Sequence, residues 1–155
     1  MIYLASYKGK RNKRSLKAIL HSFQDALIRF LTRGKYSHCE IAIKRDDGKY
    51  DCYSSSLRDG GVRHKVMTLP SERWDLKPIG GLAEADVWVF FNLTKHHKYD
   101  WLGALGVVVM ANEDKSKSFC SEWCYNLIFN SDQGWRFSPN DLVILVKDEF
   151  NKKTA

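Results

Sequence analysis

Phe119-Cys120-Ser121-Glu122-Trp123-Cys124 and Tyr36-Ser37-His38-Cys39-Glu40-Ile41-Ala42-Ile43 hold the residue types most able to do chemistry in this 155-residue chain. The first stretch reads as a cysteine in the first turn of an amphipathic helix, after a polar loop. A helix start carries partial positive charge and unpaired N–H groups, which favour the nucleophilic thiolate over the thiol. The second stretch reads as a strand with His38 near its start, and it supplies a base. A nucleophilic cysteine needs such a base to take its proton, or an imidazolium to hold it as thiolate. Cys120 and His38 are therefore the expected nucleophile and base, whereas Cys124, one turn further among Trp123, Leu127 and Ile128, reads as core.

The base needs a third polar group to fix its tautomer. Residues two apart on a strand share a face, which puts Glu40 on the His38 side and turns Cys39, Ile41 and Ile43 away. Glu40 is one orienting candidate, and Asp51, Tyr53, Ser54 and Ser55 on the following strand are the others. A metal site is the competing chemistry, with His38, Cys39, His96, His97, Cys120 and Cys124 as possible ligands. The usual zinc spacing is missing, so no metal or cofactor is expected. His96-His97 reads as a solvated turn. The pairs Gly60-Gly61 and Gly80-Gly81 lack phosphate-loop spacing and read as turns.

These residues need elements to position them. Ile2 to Ser6 reads as a short strand, and Ser15 to Leu31 as a helix. Its apolar stripe comprises Leu16, Ile19, Leu20, Phe23, Ala26, Leu27, Phe30 and Leu31, with His21 at its boundary and Gly34 as its stop. Ser37 to Lys44 and Tyr50 to Ser55 form a hairpin about Asp46-Asp47-Gly48, and Val62 to Leu69 follows as a further strand. Pro70 to Trp74 is expected to make a helical turn. Asp75 to Ile79 and Asp86 to Asn92 are expected as strands, Asp100 to Met110 as a helix, and Asn112 to Ser118 as a charged loop. Ser121 to Phe129 is a helix, Ser138-Pro139-Asn140-Asp141 a turn and Leu142 to Val146 a final strand. This order predicts an α+β fold, an antiparallel sheet packed against helices, in a single domain over 1–155.

The composition narrows the class. A hydrophobic share of 44% with five Trp predicts a packed globule. No apolar run reaches the roughly 18 residues that would suggest a membrane span. Four cysteines without a signal-like N-terminus fit a reducing, cytoplasmic setting. The net charge of +7 is concentrated in the segment Lys8 to Lys17, which could hold an anionic partner such as nucleic acid or an anionic lipid surface.

Taken in order, these motifs resemble those of the circularly permuted NlpC-like, papain-fold cysteine hydrolases, the YiiX/YaeF-like group. The resemblance rests on Tyr36-Ser37-His38, on Tyr99-Asp100 leading into a Gly-containing helix, on Phe119-Cys120-Ser121-Glu122, and on Ser138-Pro139-Asn140-Asp141-Leu142. It spans roughly residues 2–146. It implies a permuted papain-like fold, with the histidine ahead of the cysteine in the chain. It also implies thiol-dependent acyl transfer by Cys120 with His38 as base: cleavage of an amide, isopeptide or ester bond, or transfer to an acceptor. The implied substrates are peptides, acylated lipids or protein conjugates, with Tyr36, Ser37, Tyr53 and Ser121 beside the site. Relatives of this kind often carry an acid near the position of Ser54, so here either Glu40 takes the third role, or a serine hydroxyl such as that of Ser54 or a backbone carbonyl suffices. Small lone members occur in bacteriophages, which would put the protein in a host cytoplasm. The alternative is a non-catalytic module on the same fold that holds a host protein or nucleic acid through its basic surface.

Overall fold

The computed structural model describes residues 1–9, 26, 28–30, 32–100 and 116–153. Among these residues, seven strands form one sheet in the order β5-β1-β2-β3-β4-β6-β7: β1 (Ile2–Tyr7), β2 (His38–Lys44), β3 (Tyr50–Ser56), β4 (Gly61–Met67), β5 (Trp74–Pro78), β6 (Lys98–Tyr99) and β7 (Lys117–Ser118). Every neighbouring pair is antiparallel except β6 and β7, which run parallel, so the sheet is mixed where the sequence predicts an antiparallel one. Three α-helices are described: α1 (Glu84–Thr94), α2 (Cys120–Phe129) and α3 (Pro139–Lys153). The protein is thus α+β.

Strand alternation sorts the sheet into two faces. Ile2, Leu4, Cys39, Ile41 and Ile43 join Val87 of α1, Trp123, Cys124 and Leu127 of α2, and Leu142, Val143 and Val146 of α3 in the larger core. Ala5, Ala42, Cys52 and Leu69 form a smaller cluster with Tyr3, Tyr50, Met67, Trp74 and Leu76. The hairpin at Asp46-Asp47-Gly48 forms as expected, with Gly48 at φ 77° closing the turn onto Arg45. Gly61 lets β4 meet the start of β6, because a Cβ there would lie 2.2 Å from the His97 carbonyl oxygen.

Two expected strands are helices. Residues 86–92 carry the β-branched and aromatic types that favour strands. However, Asp86 accepts a hydrogen bond from the Ala83 N–H at 2.9 Å and so opens α1. The inward row Val87, Phe90 and Phe91 then packs on α2, β3 and β4, with Phe90 5.2 Å from Trp123 and Phe91 5.3 Å from Tyr53 and 6.4 Å from His64. Residues 142–146 belong to α3. Ser138-Pro139-Asn140-Asp141 is the start of that helix and not an isolated turn. The Ser138 N–H donates to Asp141 Oδ2 at 2.9 Å, the Asp141 N–H donates back to Ser138 Oγ at 3.3 Å, and Pro139 takes the first helical position.

Residues 26 and 28–30 are helical, in line with the helix expected before Gly34, although Phe30 on its predicted apolar stripe is 79% exposed. The rest of that helix, the expected helix from Asp100 to Met110 beyond its first residue, and the loop up to residue 115 lie outside the described residues. Lys117 and Ser118 form β7 where a loop is expected. Among the described residues, no helix is long and apolar enough to cross a membrane.

Candidate active site

The first residue of α2 is Cys120, and hydrogen bonds from three directions fix the segment before it. Ser55 Oγ of β3 donates to the Ser118 carbonyl at 2.5 Å, and the Asp100 N–H donates to the same carbonyl at 3.1 Å. His97 Nδ1 lies 3.3 Å from Ser118 Oγ. His97 is therefore half-buried structure and not a solvated turn. The helix is seated by Trp123, which is 1% exposed and donates its indole N–H to Thr94 Oγ1 at 2.8 Å. Glu122 Oε2 accepts from the Phe119 N–H at 3.2 Å, which places a carboxylate in the first turn where the helix favours it.

Cys120 sits across the start of β2, where both His38 and Cys39 reach its thiol. Only 3% of Cys120 is exposed, so its charge state is set by protein groups and not by water. The Cys39 hydrogen bond is the largest influence on the Cys120 thiol, and it favours the thiolate; burial opposes it, and the positive charge and hydrogen bond of His38 favour it further. The net direction is well below the ordinary thiol range. Burial holds Cys39 itself in the thiol form, so it serves as the donor. Alternation along β2 turns Cys39 away from His38, yet at the strand's end both still meet Cys120.

Burial alone would push the His38 imidazole down, but the Cys120 charge and hydrogen bond, with Glu40 behind them, raise it to about 9. His38 Nε2 lies 3.1 Å from Glu40 Oε1. Glu40 is 1% exposed, and burial would raise its pKa, but His38 and Arg63 hold it ionised down to about 2. Arg63 of β4 grips Glu40 with both arms, Nη1 to Oε2 at 2.8 Å and Nη2 to Oε1 at 2.6 Å. It also donates from Nε to Asp59 Oδ2 at 3.1 Å and from Nη1 to the Cys52 carbonyl at 3.2 Å. Lys65 donates to the other Asp59 oxygen. From Cys120 to Lys65 the charges alternate in sign, which is how a buried carboxylate and thiolate become tolerable.

The remaining expected site residues take other places. Ser54 Oγ donates to the Cys39 carbonyl at 2.7 Å and so ties β3 to β2, while the ring of His38 is held by Glu40. Tyr53 stacks on His64 at 4.6 Å. Tyr36 donates its hydroxyl to Asp75 Oδ2 at 2.7 Å, and Ser37 Oγ accepts from Arg29 Nη2 at 3.0 Å. Ser121 is fully buried beside Cys120, and its hydroxyl has no hydrogen-bond partner among the described residues. Asp51 pairs with Arg45 and His64. Among the described residues no three His, Cys, Asp or Glu side chains are grouped to hold a metal ion.

Sequence reasoning missed Arg63 and Cys39. Arg63 carries no local signal, since it reads as one cation on a strand; only the β3–β4 register, which sets it against Ser54, brings it to Glu40. Cys39 was visible as a buried cysteine next to His38, but its role as donor depends on where α2 docks. Lys8, the first cation of the basic segment, lies 2.5 Å from Asp75, and residues 10–17 of that segment lie outside the described residues.

Compared with known proteins, the chain matches no family model, no curated protein and no solved structure at a significant level.

Proposed function

We propose that the protein is a papain-like cysteine hydrolase or acyltransferase of permuted order, with Cys120 as nucleophile, His38 as general base and acid, and Glu40 as the residue that orients His38. The observation that carries this reading is the His38 imidazole, its side chain 12% exposed, set between the Cys120 thiol and the Glu40 carboxylate. A structural histidine has no need of both a thiol and an arginine-backed carboxylate at its ring.

In the proposed reaction the Cys120 sulfur attacks a substrate carbonyl carbon, and the oxygen takes up the electron pair. In this reaction the Cys120 backbone N–H, in the first turn of α2, supplies one donor to that oxyanion. As the intermediate collapses, His38 gives its proton to the leaving amine or alcohol and a thioester remains. His38 then takes a proton from water or another acceptor, whose attack releases the acyl group and restores the thiolate. Substrate classes that suit this chemistry are peptides, protein conjugates and acylated lipids.

The reading is tested by site-resolved alkylation of Cys120 across pH with a small haloacetamide, in wild type and in His38→Ala. Cys120 is expected to react well below pH 8, and His38→Ala is expected to remove that advantage by about tenfold or more, since each unit of thiol pKa changes the thiolate fraction tenfold. A Cys120 as slow as Cys39, Cys52 and Cys124, and indifferent to His38, would overturn it.

A further inference from the structure

We infer that the outward face of α1 is a self-association surface, on which a second copy of this chain packs its own α1 antiparallel. The inference does not depend on the chemistry at Cys120. An 11-residue surface helix ordinarily turns polar side chains to water. Here the outward side chains are apolar: Trp88 is 62% exposed, Val89 51% and Leu93 73%, with Ala85 exposed beside them. Ala85, Val89 and Leu93 are spaced four apart and share one face, with Trp88 and the half-buried Asn92 along its edge. Tryptophan on a contiguous apolar patch is the usual anchor of a protein contact.

Charge and size identify the occupant. The acidic residues Glu84 and Asp86 lie in the first turn of α1, and Lys95, His96 and Lys98 follow its last turn, all of them exposed. An anionic lipid surface would meet the acidic end as well as the basic one, and one end would be repelled. An antiparallel copy satisfies both. With Val89 on the two-fold axis, Ala85 faces Leu93 of the second copy, small against large, and Glu84 comes opposite Lys95 of the second copy. Both groups are accessible for this. Among the described residues Glu84 pairs with the terminal amine, at 3.9 Å, with its side chain 64% exposed, and the Lys95 ammonium rests on Asn92 Oδ1 at 3.1 Å on the surface. The helix dipoles also oppose one another in this arrangement.

A contact built on one helix about 16 Å long falls at the small end of interface sizes, so the association is expected to be reversible and concentration dependent. The test is sedimentation equilibrium of the full chain over a concentration series. Wild type is expected to show a monomer–dimer equilibrium. Val89→Glu is expected to weaken it about tenfold or more by setting two carboxylates on the axis. Glu84→Lys is expected to weaken it several-fold, and adding Lys95→Glu to restore it, a rescue that only reciprocal pairing between copies produces. Because these side chains are exposed, unchanged near-UV circular dichroism and Cys120 alkylation will show that each variant is folded. A chain that stays monomeric throughout would overturn the inference, as would a dimer insensitive to Val89→Glu or a charge reversal without rescue. A monomer that binds phosphatidylserine vesicles through Trp88 would also overturn it and assign the face to lipid.

Discussion

Glu40 and Asp75 are both carboxylates held by cations from distant parts of the chain, and both ionise more readily than an isolated acid. Asp75 gathers Lys35, Lys8 and the Tyr36 hydroxyl, yet its side chain is 30% exposed and Lys35 is 63% exposed. Water can replace any of these partners, so the cluster fastens the ends of β1 and β5 at little net energy. Glu40 is enclosed. Its partners are Arg63 in bidentate geometry and His38, and beyond His38 lies a thiol pulled toward its anion. The lesson is that a charge cluster becomes useful for chemistry when its members cannot turn to solvent. Burial makes each charge depend on the next, and the dependence ends at Cys120.

This contrast can be broken most sharply at Arg63. Arg63→Met leaves the buried Glu40 with His38 as its one remaining cationic partner among the described residues, and a loss of about 3 kcal/mol is expected in urea unfolding. The double variant with Glu40→Gln is expected to recover much of that loss. Acid unfolding gives the next effect. Glu40 has a depressed pKa, so its contribution is complete above 4.5 and is lost as pH falls from there through about 2. Wild type is therefore expected to lose on the order of 3 kcal/mol over that window, relative to Glu40→Gln measured over the same range. A wild-type acid limb no steeper than that of the variant would show that Glu40 is not held as described.

Next in size is the titration of His38 by NMR. Its raised pKa means that its stabilising contribution is complete below 6.5 and is lost as pH rises through about 9. A ring midpoint near 9 is expected in wild type. In Cys120→Ala the midpoint is expected to fall by about one unit or more, because the largest influence opposing burial is removed. An unchanged midpoint would mean that the thiol and imidazole are not coupled. The smallest effect is expected at the surface cluster: Lys35→Ala should cost less than about 1 kcal/mol and become undetectable at high salt.

Much of the site was legible because it is local. Cys120 at a helix start, His38 and Glu40 on one strand face, and the hairpin at Asp47-Gly48 all follow from spacings of a few residues. The errors were also local in origin. Residues 86–92 and 142–146 carry strand-type side chains, and their helical state is set by Asp86, by the box formed by Ser138 and Asp141, and by the faces they bury against the sheet and α2. Propensity spans only about 1 kcal/mol per residue and yields to such packing.

The sequence by itself determined the residue types and their local spacing: a thiol beside a helix terminus, an imidazole and a carboxylate on one strand face, and an apolar segment over residues 85–93 with acid at one end and base at the other. Tertiary structure alone decided that α2 docks across the start of β2, that Cys39 comes up to the Cys120 thiol, that Arg63 closes on Glu40 from β4, and that Trp88, Val89 and Leu93 face outward. The physical reason is range. Spacing along the chain fixes which side chains share a face, whereas pairing between strands and the docking of helices bring together residues such as Glu40 and Arg63, 23 positions apart, or His38 and Cys120, and burial then sets their charge.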